Sequence, residues 1–372
     1  MPDRSYRRAL DLVVKMIAKP IMIAVASAFF AADVVAQQTA APPRPVVTLE
    51  GRTFYKNGTP WLPKGVKVEA FSRPIGGYES EALQAAVKDG RSLWGPKERQ
   101  AIRNIFHADV IRFAVSQPGL DPQSPIYDAH YKSDILAAIE QARAEGFIVI
   151  PSMDAQAENG ISGLPCMPNG STVRAWQTLG QELAHDQGIM LELADEPCQS
   201  NNQAGQKAWA QSMQMLIDAL RKLGSQNILL LDGLWYARST NGLFPLVHDG
   251  LGDHLALAVH PYLVKDVFVT EPQWHNQFGA SAAQYPMIAT EWNATPTNGC
   301  IGRETPAIAL SEMRYLQSLH IGLIGWAIDS NYGKLVKNHE AYAPTDYKAF
   351  QDCSKLPSES GGGELLANYP HD

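Results

Sequence analysis

Eight apolar runs of strand-like length recur along the chain, and most are followed by a segment with helical spacing. The runs cover residues 62–68, 110–115, 147–151, 190–194, 227–232, 255–259, 287–290 and 323–327. Continuous apolar strands that alternate with helices indicate a parallel sheet covered by helices on its outside. Eight is the number of strands that closes such a sheet on itself. We therefore predict an α/β fold, a (β/α)8 TIM barrel, rather than a doubly wound open sheet.

The segments between the runs carry helix boundaries. Ser133 is placed to cap a helix that ends at Gly146. Thr305, followed by a proline, opens another helix, and Gly322 is expected past its end. Ahead of the barrel, residues 46–61 alternate between apolar and polar side chains and carry an Asn-Gly pair. This pattern predicts an N-terminal β-hairpin that caps one end of the domain.

The first 36 residues have the pattern of a secretory signal peptide. Basic side chains precede an apolar stretch over residues 21–35, and Val34-Val35-Ala36 fits the small-x-Ala rule for cleavage. An uncleaved membrane anchor is the alternative, but the run is shorter than the ~20 apolar residues of a spanning helix. We expect a secreted or periplasmic protein with a signal peptide at 1–36, a linker at 37–45, a barrel domain at 46–355 and a flexible C-terminal tail at 356–372.

The charge of the chain excludes several classes of partner. The formal net charge is −7, and removal of residues 1–36, which carry five basic and three acidic side chains, leaves −9. A mildly acidic surface provides no electrostatic attraction to nucleic acid or to an anionic membrane. We therefore expect no nucleic-acid partner and no membrane association after signal cleavage. We also expect a monomer.

Four cysteines stand in a chain that is expected to leave the cytoplasm, so disulfides are expected. We favour the pairs Cys166 with Cys198 and Cys300 with Cys353, because the first two follow consecutive strands, which are neighbours in a parallel barrel. Unpaired buried thiols are the alternative. The chain has no Cys-x-x-Cys or His-Glu-x-x-His spacing, so we predict no metal site and no cofactor.

Two of the apolar runs lead into a glutamate. Glu196 follows the fourth run in Leu191-Glu192-Leu193-Ala194-Asp195-Glu196-Pro197, and Glu291 ends the seventh. In a parallel barrel the active site lies at the carboxyl ends of the strands, so both carboxylates are expected at one face of the barrel. Such a pair can supply the acid and the nucleophile that cleavage of a glycosidic bond requires.

Further residues at strand ends carry a family resemblance. Arg112 lies in the second run, His260-Pro261-Tyr262 follows the sixth, and Trp326 lies in the eighth. In this order, and together with the two glutamates, these residues resemble glycoside hydrolase family 5, of the clan of retaining glycosidases, over most of residues 46–350. The resemblance implies that Glu196 is the acid/base and Glu291 the nucleophile.

The resemblance also assigns supporting roles. Arg112 would favour the ionised form of Glu291, Tyr262 would hydrogen-bond the nucleophile or the sugar ring oxygen, and His260 would hold that network in register. Three tryptophans offer flat apolar faces for pyranose rings, namely Trp326, Trp292 beside the nucleophile, and Trp235 after the fifth run. By contrast, Trp176 and Trp209 stand at helical spacing, which is typical of the outer core.

Two positions depart from the family pattern. Asp195 replaces the usual asparagine before the acid/base, and it can accept from a sugar 2-hydroxyl but cannot donate. After the third run, residues 151–154 lack the usual histidine. The expected function is a retaining endo-β-1,4-glucanase that acts on β-linked oligo- or polysaccharide. A β-mannanase, xylanase or β-1,3-glucanase remains open, as does a glycan-binding barrel that has lost catalysis.

Overall fold

A small antiparallel sheet precedes the barrel in the computed structural model, which describes residues 44–75, 81–154, 166–294, 301–330, 334–352 and 359–371. Its strands are β1 (Val47–Glu50), β2 (Thr53–Lys56) and β3 (Thr59–Trp61), paired in that order. Asn57 and Gly58 both have positive φ, as the tight β2–β3 turn requires. The predicted hairpin is therefore β2–β3, and β1 adds a third strand.

The cap closes the amino-terminal end of the barrel. Val47, Leu49, Phe54 and Trp61 are buried in one cluster with inward-facing residues of the barrel strands. The Trp61 indole also donates to Asp109 Oδ2 at 2.9 Å, immediately before the second barrel strand. This end of the barrel is thus filled by side chains.

Eight parallel strands form a closed barrel, which confirms the predicted fold. They follow one another around the barrel in chain order, and the last strand pairs with the first through Leu323 and Lys64. Each strand coincides with one of the eight apolar runs. The strands are β4 (Lys64–Val68), β5 (Val110–Ser116), β6 (Ile148–Asp154), β7 (Leu191–Glu192), β8 (Leu229–Asp232), β9 (Leu255–Val259), β10 (Met287–Trp292) and β11 (Gly322–Gly325).

Helices cover the outside of the barrel. They are α1 (Glu81–Leu93), α2 (Pro96–Asn104), α3 (Gln117–Leu120), α4 (Ala129–Ala144), α5 (Gly170–Leu183), α6 (Gln203–Lys222), α7 (Leu234–Ala237), α8 (Glu271–Trp274), α9 (Ala280–Ala282), α10 (Thr305–Ser318) and α11 (Gly363–Ala367). Of these, α7 is not a regular helix but a left-handed turn in the loop after β8. None of the helices in the described ranges is long and apolar enough to cross a bilayer.

One predicted helix boundary is wrong. Asp128, not Ser133, caps α4, because its side chain accepts from the backbone of His130 one turn earlier. Gly322 lies past the end of α10, as predicted, and it also begins β11, since the chain enters the barrel within a few residues of the helix end. A Cβ at Gly322 would lie 2.6 Å from the carbonyl oxygen of Pro63, so glycine permits this close strand approach.

Trp176 and Trp209 lie in the outer core, as predicted. Both are fully buried, on α5 and α6 respectively. Their indole N–H groups donate to the carbonyl oxygens of Leu193 at 2.8 Å and Asp232 at 2.7 Å. These bonds fasten two helices to the carboxyl ends of β7 and β8, where the predicted site lies.

The C-terminal segment differs from the expected flexible tail. It forms α11, and Leu366 and Tyr369 are buried. Lys64, at the start of β4, donates to the carbonyl oxygens of Ala367 at 2.9 Å and Tyr369 at 2.7 Å. The glycines that suggested looseness instead allow close packing, since a Cβ at Gly362 would lie 2.7 Å from the Trp292 ring.

The Cys166–Cys198 disulfide is present, as predicted. It joins the loop after β6 to the loop after β7. The second expected pair, Cys300 with Cys353, lies outside the described residues, as do the expected signal peptide and most of the linker.

Candidate active site

The two predicted glutamates meet at the carboxyl end of the barrel. Glu291 lies in β10 and is 6% exposed, whereas Glu196 stands in the loop after β7. One carboxylate oxygen of each, together with a ring nitrogen of His260, lie within 4.8 Å of one another. Glu196 has a left-handed backbone, with φ of 51°, which few residues other than glycine adopt. Its N–H donates to Asp232 Oδ2 at 2.9 Å, which supports this conformation.

Three side chains donate to Glu291. Lys67 Nζ and Arg112 Nη1 both donate to Oε2, at 2.9 and 2.8 Å. The Tyr262 hydroxyl donates to Oε1 at 3.0 Å. Burial alone would raise the pKa of Glu291, but the charges of Lys67, His260 and Arg112 outweigh it and lower that pKa to about 2. Glu291 is therefore ionised over the whole range near neutral pH.

Glu196 has the opposite electrostatic environment. Burial raises the pKa of Glu196, and the negative charges of Asp195 and Glu291 act in the same direction, whereas His260 opposes them. In the described part of the chain no lysine or arginine forms an ion pair with Glu196, whose contact of this kind is His260 at 3.0 Å. The site thus holds one carboxyl group that stays ionised and one that favours its proton.

His260 connects the two glutamates to the barrel interior. Burial alone would lower its pKa, but Glu291, Glu192, Glu196 and Asp232 raise it well above the usual value. Its Nδ1 lies 3.0 Å from Glu196 Oε1, and its Nε2 lies 3.1 Å from Thr290 Oγ1. Thr290 in turn donates to Glu192 at 2.8 Å. This chain fixes the orientation of the Glu196 carboxyl group.

Arg112 is fully buried and organises the carboxylates around it. Besides Glu291, it donates from Nε to Glu192 Oε2 at 2.5 Å and from Nη2 to Ser152 Oγ at 2.9 Å. Its Nη2 also donates to Asp195 Oδ1. The aspartate that departs from the family pattern therefore has a cationic partner, which balances its charge beside the two glutamates.

The three predicted tryptophan platforms have different outcomes. Trp326 is half-buried, donates to Glu69 Oε1 at 2.7 Å and meets the Tyr262 ring edge-on at 6.2 Å. Trp292 is fully buried and donates to Glu312 at 2.8 Å, so its prediction as a sugar-binding residue is wrong. Neighbouring side chains in a strand point to opposite faces, and because Glu291 points into the barrel, Trp292 points to the helix layer.

Trp235 lies in the loop after β8, on the side of Glu196. Its N–H donates to the carbonyl oxygen of Gln199 at 2.7 Å, and the N–H of Tyr236 donates to that of Pro197 at 3.0 Å. These bonds tie the Trp235 loop to the Glu196 loop. The half-buried Trp235 lines an open groove of 520 Å³, whose other lining residues are Ser200, Asn201, Ser239, Val267, Asn276 and Gln277.

The sequence interpretation missed several residues of this site. Lys67, Glu192 and Asp232 are buried polar residues of β4, β7 and β8 that contact or surround the two glutamates. Each interrupts an apolar run with a charge, and charged residues are rarely buried without a partner. A charged residue inside an apolar run could therefore have been recognised from the sequence. Its partners could not, because they are distant in the chain and come together only when the barrel closes.

The clustered acids invite comparison with a metal site. Glu192, Asp195, Asp232 and His260 present ligand atoms within 4.8 Å of one another. However, Arg112 donates to Glu192 and Asp195. A guanidinium bonded to two of the four residues disfavours a further cation there, so we assign these residues to a hydrogen-bonded network.

Comparison with known proteins agrees with this geometry. The sequence model of the cellulase family, glycosyl hydrolase family 5, matches residues 76–332. No curated protein matches the sequence. Among solved structures, a β-glucanase from Saccharophagus degradans in complex with cellotetraose has a TM-score of 0.63 at 18% identity, over 83% of this chain and 92% of that one.

Other solved structures are similar to a comparable degree. The catalytic domain of an endoglucanase from Thermobifida fusca has a TM-score of 0.60 at 13% identity, over 86% of this chain and 95% of that one. A family 5 cellulase from an Icelandic hot spring isolate has a TM-score of 0.57 at 17% identity, over 87% and 93%. At such identities the structural likeness shows the shared barrel, and the match to the family model shows the relationship. The chain belongs to the cellulase family, glycosyl hydrolase family 5.

Proposed function

We propose that this glycoside hydrolase cleaves β-linked glucan with retention of anomeric configuration, with Glu291 as nucleophile and Glu196 as acid/base. The observation that carries the proposal is the close approach of the two carboxyl groups, with oxygens inside a 4.8 Å cluster. Retaining enzymes separate these groups by about 5–5.5 Å, whereas inverting enzymes need about 6.5–9.5 Å to admit water. The opposite pKa shifts of the two groups support the same assignment.

The first half of the reaction forms a glycosyl-enzyme ester. An oxygen of Glu291 attacks the anomeric carbon, and the bond to the leaving oxygen breaks as Glu196 donates its proton to that oxygen. Once Glu291 is esterified it no longer carries a charge, so the pKa of Glu196 falls. Glu196 then accepts a proton from water, whose oxygen attacks the anomeric carbon and releases Glu291.

We infer action within a β-1,4-glucan chain. Trp235 lines an open groove, and its loop is hydrogen-bonded to the Glu196 loop. Trp326 packs against Tyr262, which donates to Glu291. One aromatic platform associated with each glutamate favours a substrate extending in both directions. The β-glucanase and an endoglucanase of similar structure hold cellotetraose, which motivates β-1,4-glucan as the first substrate to test.

Asp195 and Asp154 motivate a second substrate class within the same family. Asp154 ends β6, in the segment 151–154 that lacks the histidine of the family pattern, and Asp195 follows β7, where that pattern has asparagine. Burial raises the pKa of Asp154 well above its usual value, and the charge of Asp195 adds to this effect. A changed set of donors and acceptors beside the sugar 2-hydroxyl would suit mannan, whose 2-hydroxyl points to the other face of the ring.

We also propose that the mature protein is secreted or periplasmic and acts as a monomer. The expected signal peptide and the Cys166–Cys198 disulfide support export, because disulfides persist in oxidising compartments. Size-exclusion chromatography with light scattering tests the monomer.

The test of the reaction uses purified protein and β-1,4-glucan, β-mannan, xylan and β-1,3-glucan. Chromatography identifies the released sugars, and NMR of the first product formed reads its anomeric configuration. We expect cello-oligosaccharides of β configuration. An α product would disprove retention, and oligosaccharide binding in calorimetry without release of reducing ends would favour a glycan-binding barrel that has lost catalysis.

A further inference from the structure

Lys67 is a buried lysine in the wall of the barrel. It lies in β4, opposite Arg112 of β5 in the strand register, and is 4% exposed. Lysine is rarely buried without a partner of opposite charge. Its ammonium group has two, because Nζ lies 2.9 Å from Glu291 Oε2 and 3.0 Å from Glu69 Oε1.

The contact with Glu291 is specific to one oxygen. Oε2 accepts from both Lys67 and Arg112, whereas Oε1 accepts from the neutral hydroxyl of Tyr262. Two cations on one oxygen hold negative charge there and fix the rotation of the carboxylate. Oε1 is consequently the oxygen better placed to form a bond with a sugar.

Glu69 holds Lys67 in position. Its Oε1 accepts from both Lys67 and the Trp326 indole, and its backbone N–H donates to Asp329 Oδ1 at 2.9 Å. Lys67 is therefore supported from the side opposite Glu291. Because two carboxylates bind its ammonium group, Lys67 is already held in one position before the reaction begins.

We propose that Lys67 is a positioning residue for Glu291: its ammonium holds Oε2, leaves Oε1 to attack the sugar, and stabilises the carboxylate that departs when the glycosyl-enzyme is hydrolysed. The inference rests on the proposed function and names a residue that deepens it. In the second step, the bond between the anomeric carbon and Oε1 breaks and its electron pair returns to Glu291. The water oxygen bonds to the anomeric carbon, its proton passes to Glu196, and Lys67 stays protonated throughout.

Several other charged or titratable groups surround this pair. Glu291 faces Arg112 from β5, His260 and Tyr262 from the segment after β9, and Glu196 from the loop after β7. The charge of Asp195 also acts on Lys67, and the charge of Lys67 acts on Asp154. Because these groups remain in a Lys67 variant, the change in the acid limb of the pH profile reports the lysine charge.

The test is the pH dependence of kcat/KM for Lys67→Met on an activated aryl glycoside. An opposite charge at this distance lowers a carboxyl pKa by about 1–3 units, so its removal should move the acid limb upward by about one pH unit or more. Hydrolysis of the glycosyl-enzyme should slow by roughly tenfold for each such unit. The aryl alcohol would then be released in a burst, because the first step remains fast. The glycosyl-enzyme would accumulate and be detected by the added mass of the sugar.

The matched control is Lys64→Met. Lys64 is a buried lysine of the same strand whose ammonium binds carbonyl oxygens of the C-terminal segment instead. Its loss should lower stability without moving the acid limb. Lys67→Gln, which keeps a donor but removes the charge, repeats the measurement if Lys67→Met does not fold.

Two results would overturn the proposal. One is an acid limb that is unchanged in a folded Lys67 variant. The other comes from the wild-type protein and needs no variant. We expect the acid limb of its pH profile to lie below about 4.3, the ordinary pKa of glutamate, when it is measured at pH values where the protein stays folded. A wild-type limb at or above that value overturns the role of Lys67, whereas a wild-type protein inactive on every glycan overturns the proposed function instead.

Discussion

Glu196 and Glu291 carry the same carboxyl group, yet their surroundings shift their pKa values in opposite directions. Two cations contact Glu291 directly, whereas Glu196 is half-buried next to further acids and is contacted by His260. At the scale of single residues, the difference in pKa therefore comes from neighbours contributed by other strands. Both glutamates were predicted as site residues from sequence, but this difference required the contacts.

Azide distinguishes the two proposed roles. Glu291→Ala should lower activity on an activated aryl glycoside by about four orders of magnitude or more, because no nucleophile remains. Azide should then restore turnover and give a glycosyl azide of opposite anomeric configuration. In Glu196→Ala, azide should instead give a product of retained configuration, because it attacks the glycosyl-enzyme. NMR of the two azides decides, and identical configurations would contradict the assignment.

The basic limb of the pH profile belongs to Glu196. Protonated Glu196 is the active form in the first step, and burial raises its pKa, so kcat/KM should fall as the pH rises through a value above about 4.3. In Glu196→Gln this limb should disappear for a substrate with a good leaving group. Glu140→Gln, at an exposed ion pair with Arg44, is the control. Persistence of the limb in Glu196→Gln would assign it to another group, such as His260.

At the scale of elements, the loop after β8 holds Trp235 beside the Glu196 loop. Trp235, Tyr236 and Ala237 all have positive φ near 55°, a conformation that costs energy for residues with a Cβ. Hydrogen bonds to the Glu196 loop hold them there. Neither the left-handed turn nor its partner loop has a local sequence signal, since no glycine or asparagine marks these three positions.

Trp235→Ala should weaken binding of long substrates only. Stacking on an aromatic ring contributes about 1 kcal/mol, so kcat/KM for cellopentaose should fall roughly fivefold to tenfold. Activity on a small aryl glycoside should be unchanged because its leaving group does not reach the groove. Tyr285→Ala, at the opposite end of the barrel beside Trp61, is the matched aromatic control. Equal losses on both substrates would remove Trp235 from the binding groove.

At the scale of the whole molecule, the two chain ends of the described structure complete the barrel. The antiparallel sheet β1–β3 fills the amino-terminal end, and the C-terminal segment packs against β4, β11 and Trp292. Composition suggested that the last residues were loose, because three glycines and several polar residues precede them. The buried leucine and tyrosine that follow are too short a pattern to reveal a docking site on a surface that forms only when the barrel closes.

Truncation tests this role of the C-terminal segment. Removal of residues 363–372 should lower the free energy of unfolding by about 4 kcal/mol or more, since it exposes the contacts of Leu366 and Tyr369 and leaves the Lys64 ammonium buried without its carbonyl partners. Urea denaturation measures the change. Removal of residues 371–372 alone is the control, and equal stability of both truncated proteins would mean that the tail is dispensable.

The sequence alone determined the barrel and the strand ends that carry its glutamates, because strand and helix periodicities are local and eight repeats leave one closed arrangement. Only the tertiary structure decided which side chains contact each carboxylate. Lys67, Glu192 and Asp232 became neighbours of Glu196 and Glu291 only when strands distant in the chain came together, and the pleat of β10 turned Trp292 away from the site. Side-chain contacts across a closed sheet depend on register and direction, which no local pattern records.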